Sequence, residues 1–308
     1  LEALKADPKF VEAQVLLANI YTDVNKKDQA IESYKKAIAL NPDTFPNNYY
    51  SVAKIEMELG KYEEAKTHLE KFLSIAKTSS VLIVKAKKFL ESANFAIEAM
   101  KKPVPFKPIN LGDSINSKNE EYLPTLTADE NTLIFTVRRP KDAQTIGRNL
   151  EEEDFFLSKK EKDTWKRRVN LGSPINTHGN EGAQCISPDG KYLYYTACNR
   201  PNGMGSCDIY MAEKIGESWS EPINMGAPVN SNAWESQPSI SSDGRTLYFL
   251  SSRNGGLGKT DIWRTTHMDD GSWSVPVNLG DKINTPASEA SPFIHPDNNT
   301  LYFASDGK

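Results

Sequence analysis

SSRNGGLGKTDIW, residues 251–263, sets a run of glycines in front of Gly-Lys-Thr, and two incompatible folds follow from two readings of it. A phosphate-binding loop needs Gly-x-x-x-x-Gly-Lys-Ser/Thr between a strand and a helix, so that successive backbone N–H groups converge on phosphate. Here the first position is Arg253, and the threonine leads into Asp261-Ile262-Trp263, which has the composition of a strand. The text at residues 197–210, ACNRPNGMGSCDIY, aligns with it: Gly205 matches Gly258, and Ser206-Cys207 stands where Lys259-Thr260 stands. The glycines therefore belong to a repeated hairpin loop, and Lys259 is a solvent-facing residue on that loop.

The repeat runs from residue 110 onward. Asn110-Leu111-Gly112, Asn170-Leu171-Gly172, Asn224-Met225-Gly226 and Asn278-Leu279-Gly280 recur at separations of 60, 54 and 54 residues. Asp129, Asp189, Asp243 and Asp297 keep the same spacing, as do Leu133, Leu193, Leu247 and Leu301. Trp165, Trp219 and Trp273 follow at 54 and 54. Each unit reads as four short strands: one ending at the Asp turn, one opening at the leucine, one at DFFLS, DIYMA or DIWRT, and one around the tryptophan. The Asp-Gly pairs in PDGK and SDGR mark hairpins, because glycine accepts the positive φ of a tight turn. The second strand is apolar at consecutive positions, so both of its faces need cover. Four-stranded sheets stacked around an axis supply that cover, which predicts a β-propeller.

Residues 1–101 read as helix, with apolar residues at helical spacing and almost no glycine. Leu17, Ala18, Tyr21, Ala30, Tyr34, Ala37 and Pro42 stand at the offsets of a 34-residue tetratricopeptide repeat (TPR). Ala53, Gly60, Ala65 and Leu69 mark a second unit, and residues 79–100 a third, less regular pair or a cap. Alanines at fixed offsets let antiparallel helices approach closely while tyrosine and leucine fill between hairpins. The segment KKPVPFKP holds three prolines in six residues and cannot continue a helix. The expected organisation is α + β multidomain: a helical TPR solenoid over 1–101, a Pro-rich linker over 102–109, and propeller repeats over 110–308, three blades and part of a fourth. The chain opens at LEALKADP and closes inside a repeat, so both ends read as truncated.

Composition narrows the functional classes. A net charge of -4 and a pI near 5.7 give no general attraction for nucleic acid or anionic lipid, and no nucleic-acid partner is expected. The histidines, His68, His178, His267 and His295, are scattered, and Cys185, Cys198 and Cys207 fit no zinc spacing, so no metal site or cofactor is expected. Cys198 and Cys207 stand at the two ends of one hairpin loop, where a disulfide or two free thiols are both open readings; a bridge would imply an oxidising compartment.

The joined stretches NEGAQCISPDGKYLYYTACNR, WESQPSISSDGRTLYFLSSR and SEASPFIHPDNNTLYF, following TPR units through PVPFKP, resemble the TolB-type, WD40-like propeller repeats of Bacteroidota OmpA-family proteins. Within that family the likeness is greatest to the PorE-like components of type IX secretion. The resemblance implies a six-bladed ring and a lipoprotein setting in the periplasm, at the inner face of the outer membrane. It also implies envelope proteins as partners, an outer-membrane barrel or secretion-complex subunits among them. Peptidoglycan binding would belong to an OmpA-like domain not contained in these residues.

Alignment of the repeats puts Glu121, Glu181, Glu235 and Glu289 at one position before the first strand. Two readings stand: an acidic ring at the channel mouth that attracts a cation or a basic peptide, or carboxylates that accept backbone N–H groups from a neighbouring blade's loop. Asp154, Asp208 and Asp261, opening the third strand, read as turn caps. Trp234 lacks an aromatic counterpart in the other repeats and is a candidate contact residue. The first unit's six extra residues fall in a loop carrying Arg138, Arg139 and Arg148, either a solvated hairpin or a docking element. On the helical side, Glu12, Asn19, Asn47, Tyr50 and Lys54 should line a concave groove suited to a peptide or a helix. No catalytic set is legible, so the expected class is a non-catalytic scaffold. The alternative is a propeller that binds a ligand or carbohydrate, or hydrolyses one, at its channel mouth.

Overall fold

The computed structural model describes residues 2–43, 45–76, 80–140 and 151–307. The chain divides into two compact units, Leu1–Pro108 and Ile109–Lys308. None of the described helices is long and apolar enough to cross a membrane.

The first unit holds α1 (Glu2–Ala6), α2 (Val11–Asp23), α3 (Lys27–Leu40), α4 (Pro46–Glu58), α5 (Tyr62–Ile75) and α6 (Ser80–Met100). Helices α2/α3 and α4/α5 form two hairpins, and α3 packs on α4. Asn25 and Gly60, both at positive φ, reverse the chain after α2 and α4, and Pro46 opens α4 at a position where its missing N–H costs nothing. Residues 79–100, left open between a helix pair and a cap, contribute α6 as one long helix over α4 and α5.

Alanines carry the close contacts. Ala18, Ala30, Ala37, Ala53, Ala65 and Ala86 have no exposed surface. Ala18 and Ala30 meet Tyr34, Val52 and Ile55, while Ala53, Ala65 and Ala86 meet Tyr49, Leu69 and Phe72. Ala65→Leu is therefore expected to overpack this seam by about 1–3 kcal/mol. Urea unfolding followed at the helix signal would show it, and an unchanged midpoint would mean the seam has slack. One buried charge belongs to the same frame: Glu56 of α4 lies 2.6 Å from His68 Nδ1 of α5 and 3.0 Å from Lys35 Nζ of α3.

The second unit is four antiparallel sheets in chain order. The first contains β1 (Glu120–Leu126), β2 (Thr132–Pro140), β3 (Glu151–Glu161), β4 (Thr164–Trp165) and β5 (Val169–Asn170). The second repeats it with β6 (Glu181–Ile186), β7 (Tyr192–Cys198), β8 (Cys207–Ile215), β9 (Ser218–Trp219) and β10 (Ile223–Asn224). The third is β11 (Glu235–Ile240), β12 (Thr246–Ser251), β13 (Asp261–Thr266) and β14 (Val277–Asn278), and the fourth is β15 (Glu289–Ile294) with β16 (Leu301–Ser305). First strands of successive sheets neighbour one another, β1 to β6, β6 to β11 and β11 to β15.

The double cover read from the second strand is present. In β2, Leu133, Phe135 and Val137 face one cluster with Ile115, while Ile134 joins Phe155, Leu193, Tyr195 and Tyr210 of the next seam. In β7, Leu193, Tyr195 and Ala197 face backward and Tyr194 faces forward, toward Leu247, Phe249 and Trp263. The apolar run of β7 thus fills two inter-sheet cores at once, whereas the cluster behind β2 is made within the first sheet and the loop that leads into it.

Two details differ from the sequence expectation. The fourth strand is not formed around the tryptophan: Trp165 and Trp219 pair only with the last residues of the third strand, and the strand that completes the ladder is the two-residue Val169–Asn170 or Ile223–Asn224. The tryptophans instead pack against the apolar seams. Each first strand also carries a bulge, with Leu123, Ala183, Gln237 and Ser291 at positive φ where the register shifts. None of these is glycine; the mark the sequence does carry is the proline that follows in three of the four, Pro124, Pro238 and Pro292.

Candidate functional site

The recurrent residues converge on the junctions between sheets. Glu181, Glu235 and Glu289 are buried. Glu181 accepts the Thr177 N–H at 3.0 Å, the Thr177 hydroxyl at 2.5 Å and Arg200 Nη2 at 3.0 Å. Glu235 accepts the Ser231 N–H (2.8 Å) and hydroxyl (2.7 Å) and the Ser251 hydroxyl (2.7 Å), and pairs with Arg253 at 3.2 Å. Glu289 takes the Thr285 N–H, the Thr285 hydroxyl and the Ser305 hydroxyl. These three carboxylates do not form an exposed acidic ring. Each closes the loop that precedes its own strand, not a neighbouring blade's loop, because a serine or threonine four residues earlier turns both its donors onto the carboxylate. Burial pushes the Glu181 carboxyl up, opposed by Thr177 and Arg200. Glu121 is only half-buried and accepts the Ser117 hydroxyl at 2.5 Å.

Arg200 and Arg253 were not singled out in the sequence, although each closes the aligned CNR and SSR stretches. Arg200 lies over the Tyr210 ring, and Arg253 between Phe249 and Trp263. Arg253 also donates to the carbonyl oxygens of Pro228 and Val229. Each arginine thus ties the end of a second strand to the connector entering its own sheet.

The Asp and Asn markers have matching duties. Asp208 accepts the N–H groups of Met204 and Gly205, and Asp261 those of Leu257 and Gly258, so the glycine-rich loops are capped turns. Asp154 instead takes Arg139 and the Asn170 amide. Asn170 Oδ1 accepts the Gly172 N–H and the Asn176 amide, and Asn176 brackets Phe155 by accepting its N–H and donating to its carbonyl, both at 2.9 Å. Asn224 with Asn230 on Ile209, and Asn278 with Asn284 on Ile262, repeat the arrangement. Asn110 and Asn116 make the first half of it.

The loop that posed the phosphate question is tied to the next sheet. A Cβ on Gly258 would land on the carbonyl oxygens of Ala287 and Thr285, and one on Gly205 on that of Ala233. Gly258 and Gly205 are needed for close backbone approach, and the Lys259 N–H donates to Ala287 O at 2.8 Å while its side chain is exposed.

The remaining candidates scatter. Arg138 bridges Glu153 and Glu120 over the Tyr122 ring, and Arg139 bridges Asp154 and Glu152, so both are held on β2. Arg148 lies outside the described residues. Trp234 is half-buried, its backbone bridged to Cys207 and its N–H on the Ser252 hydroxyl. Glu12, Asn19, Asn47 and Lys54 are exposed on α2 and α4, with Asn19 accepting the Tyr34 hydroxyl at 2.5 Å. Tyr50 is half-buried, its ring packing on Phe72 and Phe89. Among the described residues no cluster of His, Cys, Asp or Glu could hold a metal ion.

Cys198 and Cys207 stand directly opposite in the ladder and are joined as a disulfide. Closing so short a loop contributes about 2–3 kcal/mol through the unfolded chain. Reduction is expected to lower the unfolding free energy of the sheet unit by that amount. No change on reduction, checked by thiol titration, would show that the loop is already ordered in the unfolded chain.

Residues 11–44 and 46–79 each match the tetratricopeptide repeat family. None of the curated proteins compared with the chain matches it. Among solved structures, TolB from Acinetobacter baumannii is similar at 19% identity, covering 62% of this chain and 39% of that one, with a TM-score of 0.40. YrrB, a TPR protein with an unusual peptide-binding site, aligns at 23% identity over 32% of this chain and 49% of its own, TM-score 0.27. An α-L-arabinofuranosidase from Lactobacillus brevis aligns at 12% identity over 60% and 64%, TM-score 0.42. The chain spans less than two thirds of each of these structures.

Proposed function

We propose that this chain is a non-catalytic scaffold that holds protein partners in a bacterial cell envelope, on the periplasmic side of the outer membrane, as a structural element of type IX secretion of the PorE-like kind. The observation that carries the reading is the pair of matched tetratricopeptide repeats, whose exposed Glu12, Asn19, Asn47 and Lys54 offer polar contacts to a partner segment. The sheet unit supports it as well, since its recurrent glutamates Glu181, Glu235 and Glu289 are buried and engaged in internal bonds. The Cys198–Cys207 bridge suits an oxidising compartment. Partners would be an outer-membrane barrel or secretion-complex subunits, and no cofactor is invoked.

The test is crosslinking in intact cells followed by mass spectrometry of membrane-derived complexes. The reading expects a stable adduct with envelope proteins that weakens when Asn19 and Lys54 are both replaced by alanine. Adducts with cytoplasmic proteins alone would overturn it.

A further inference from the structure

Recurrence in every sheet is what a structural role predicts, so residues that break the repeat and still converge on a cavity are where a ligand should be sought. One such place lies at the seam of the second and third sheets, a cavity of about 440 Å³ lined by Tyr192, Tyr194, His267 and Trp273, with Asp189 and Asp243 at its rim. That volume falls within the range of small-molecule sites.

Two of its walls, Tyr192 and His267, depart from the pattern, while Tyr194, Trp273 and the two aspartates recur in other sheets. At the Tyr192 position the other sheets have Thr132, Thr246 and Thr300. Lys160 and Lys214 stand opposite Trp165 and Trp219, and Lys160 lies over its indole, 5.9 Å from the ring centre. His267 takes that place opposite Trp273 and meets it edge-on, centroids 5.0 Å apart. The lysine cover is absent there and the indole borders the cavity. Tyr194, only 5% exposed, sets its ring edge-on to the same indole at 6.4 Å.

The polar groups around it have spare capacity. The Tyr194 hydroxyl, the Trp273 indole N–H and the His267 ring have no hydrogen-bond partner among the described residues. Asp189 and Asp243 each use Oδ1 on the turn, accepting Ser187 and Lys191 or Ser241 and Arg245. Their Oδ2 atoms take no hydrogen bond, Lys191 Nζ standing 3.8 Å from that of Asp189.

We infer that this seam binds a neutral sugar ring. A pyranose lays C–H groups on aromatic faces, and its hydroxyls both donate and accept, which suits unsatisfied Tyr, Trp and His donors beside carboxylate acceptors. An organic cation would suit the aspartates but bring no acceptor for the indole N–H. The site belongs to the sheet unit and the proposed partner contacts to the helical unit, so its failure would leave the scaffold reading untouched.

The test titrates the 308-residue protein, ¹⁵N-labelled, with methyl glycosides of glucose, galactose, mannose and N-acetylglucosamine, following the Trp273 indole N–H resonance. At least one glycoside should shift it saturably while the Trp165 resonance stays. Tyr194→Phe should weaken that binding about fivefold, the worth of one hydrogen bond. Tyr248→Phe, at the equivalent position one sheet on, should leave it unchanged. The inference is overturned if no glycoside moves the Trp273 resonance, if Tyr194→Phe binds as well as the parent, or if tetramethylammonium displaces the sugar.

Discussion

Replacing Glu235 by alanine is expected to cost about 3–5 kcal/mol, the usual loss when one partner of a buried ion pair is removed. Four donors converge on that carboxylate: the Ser231 N–H and hydroxyl, the Ser251 hydroxyl and the Arg253 guanidinium. Arg253 has only 13% of its side chain exposed, and burial already pulls its guanidinium below the ordinary range while Glu235 opposes that pull. Without the carboxylate, the arginine stays wedged between Phe249 and Trp263 with its charge unopposed. Glu121→Ala, at the same repeat position but half-buried and held by one serine hydroxyl, should change stability by no more than about 0.5 kcal/mol. Chemical denaturation of the two variants side by side checks the contrast. Equal losses would mean that burial and pairing do not set the role of this position.

Gly258→Ala is the second large effect, expected at about 3 kcal/mol, the upper end for overpacking. The added methyl would meet backbone carbonyl oxygens of Ala287 and Thr285, which cannot swing away as a side chain would. The Lys259 N–H to Ala287 O bond and the Thr260–Ser288 bridge hold the loop to the fourth sheet, so moving it breaks contacts between sheets. Melting of the sheet unit should fall by roughly 6–12 °C. Gly244→Ala, at positive φ but with open space around its Cβ, should cost only the backbone strain, on the order of 1 kcal/mol. If the two variants melted together, close approach would not be the reason for Gly258.

The architecture was legible because repetition separates signal from chance. Markers kept in register over four units located the first three strands of each sheet, and consecutive apolar residues in the second strand foretold two covered faces. Less was legible where identity and role part company. Glu181 and Glu235 look like exposed charges in one dimension. Their burial follows from Thr177 and Ser231 four residues earlier, a recurrence present in the text but meaningful only once the turn geometry is known. Arg200 and Arg253 stand 53 residues apart, off the 54-residue spacing of the other markers, and only the fold shows them doing one job. Tyr50 stands at a groove position by TPR spacing, and only the fold shows Phe89 of α6 packing on its half-buried ring. The bulges at Leu123, Ala183, Gln237 and Ser291 are not marked by glycine; their sequence mark is the strand proline that follows at 124, 238 and 292, and Ala183 has none.

The central claim is that the buried glutamates recurring from sheet to sheet build the molecule, and that partners are met elsewhere on it. A paired measurement on Glu235→Gln tests it most directly: the unfolding midpoint, and the yield of crosslinked partner per folded molecule. A lower midpoint with an unchanged yield is the predicted result. An unchanged midpoint with the partner lost would contradict it, because the recurrent glutamate would then belong to a binding surface.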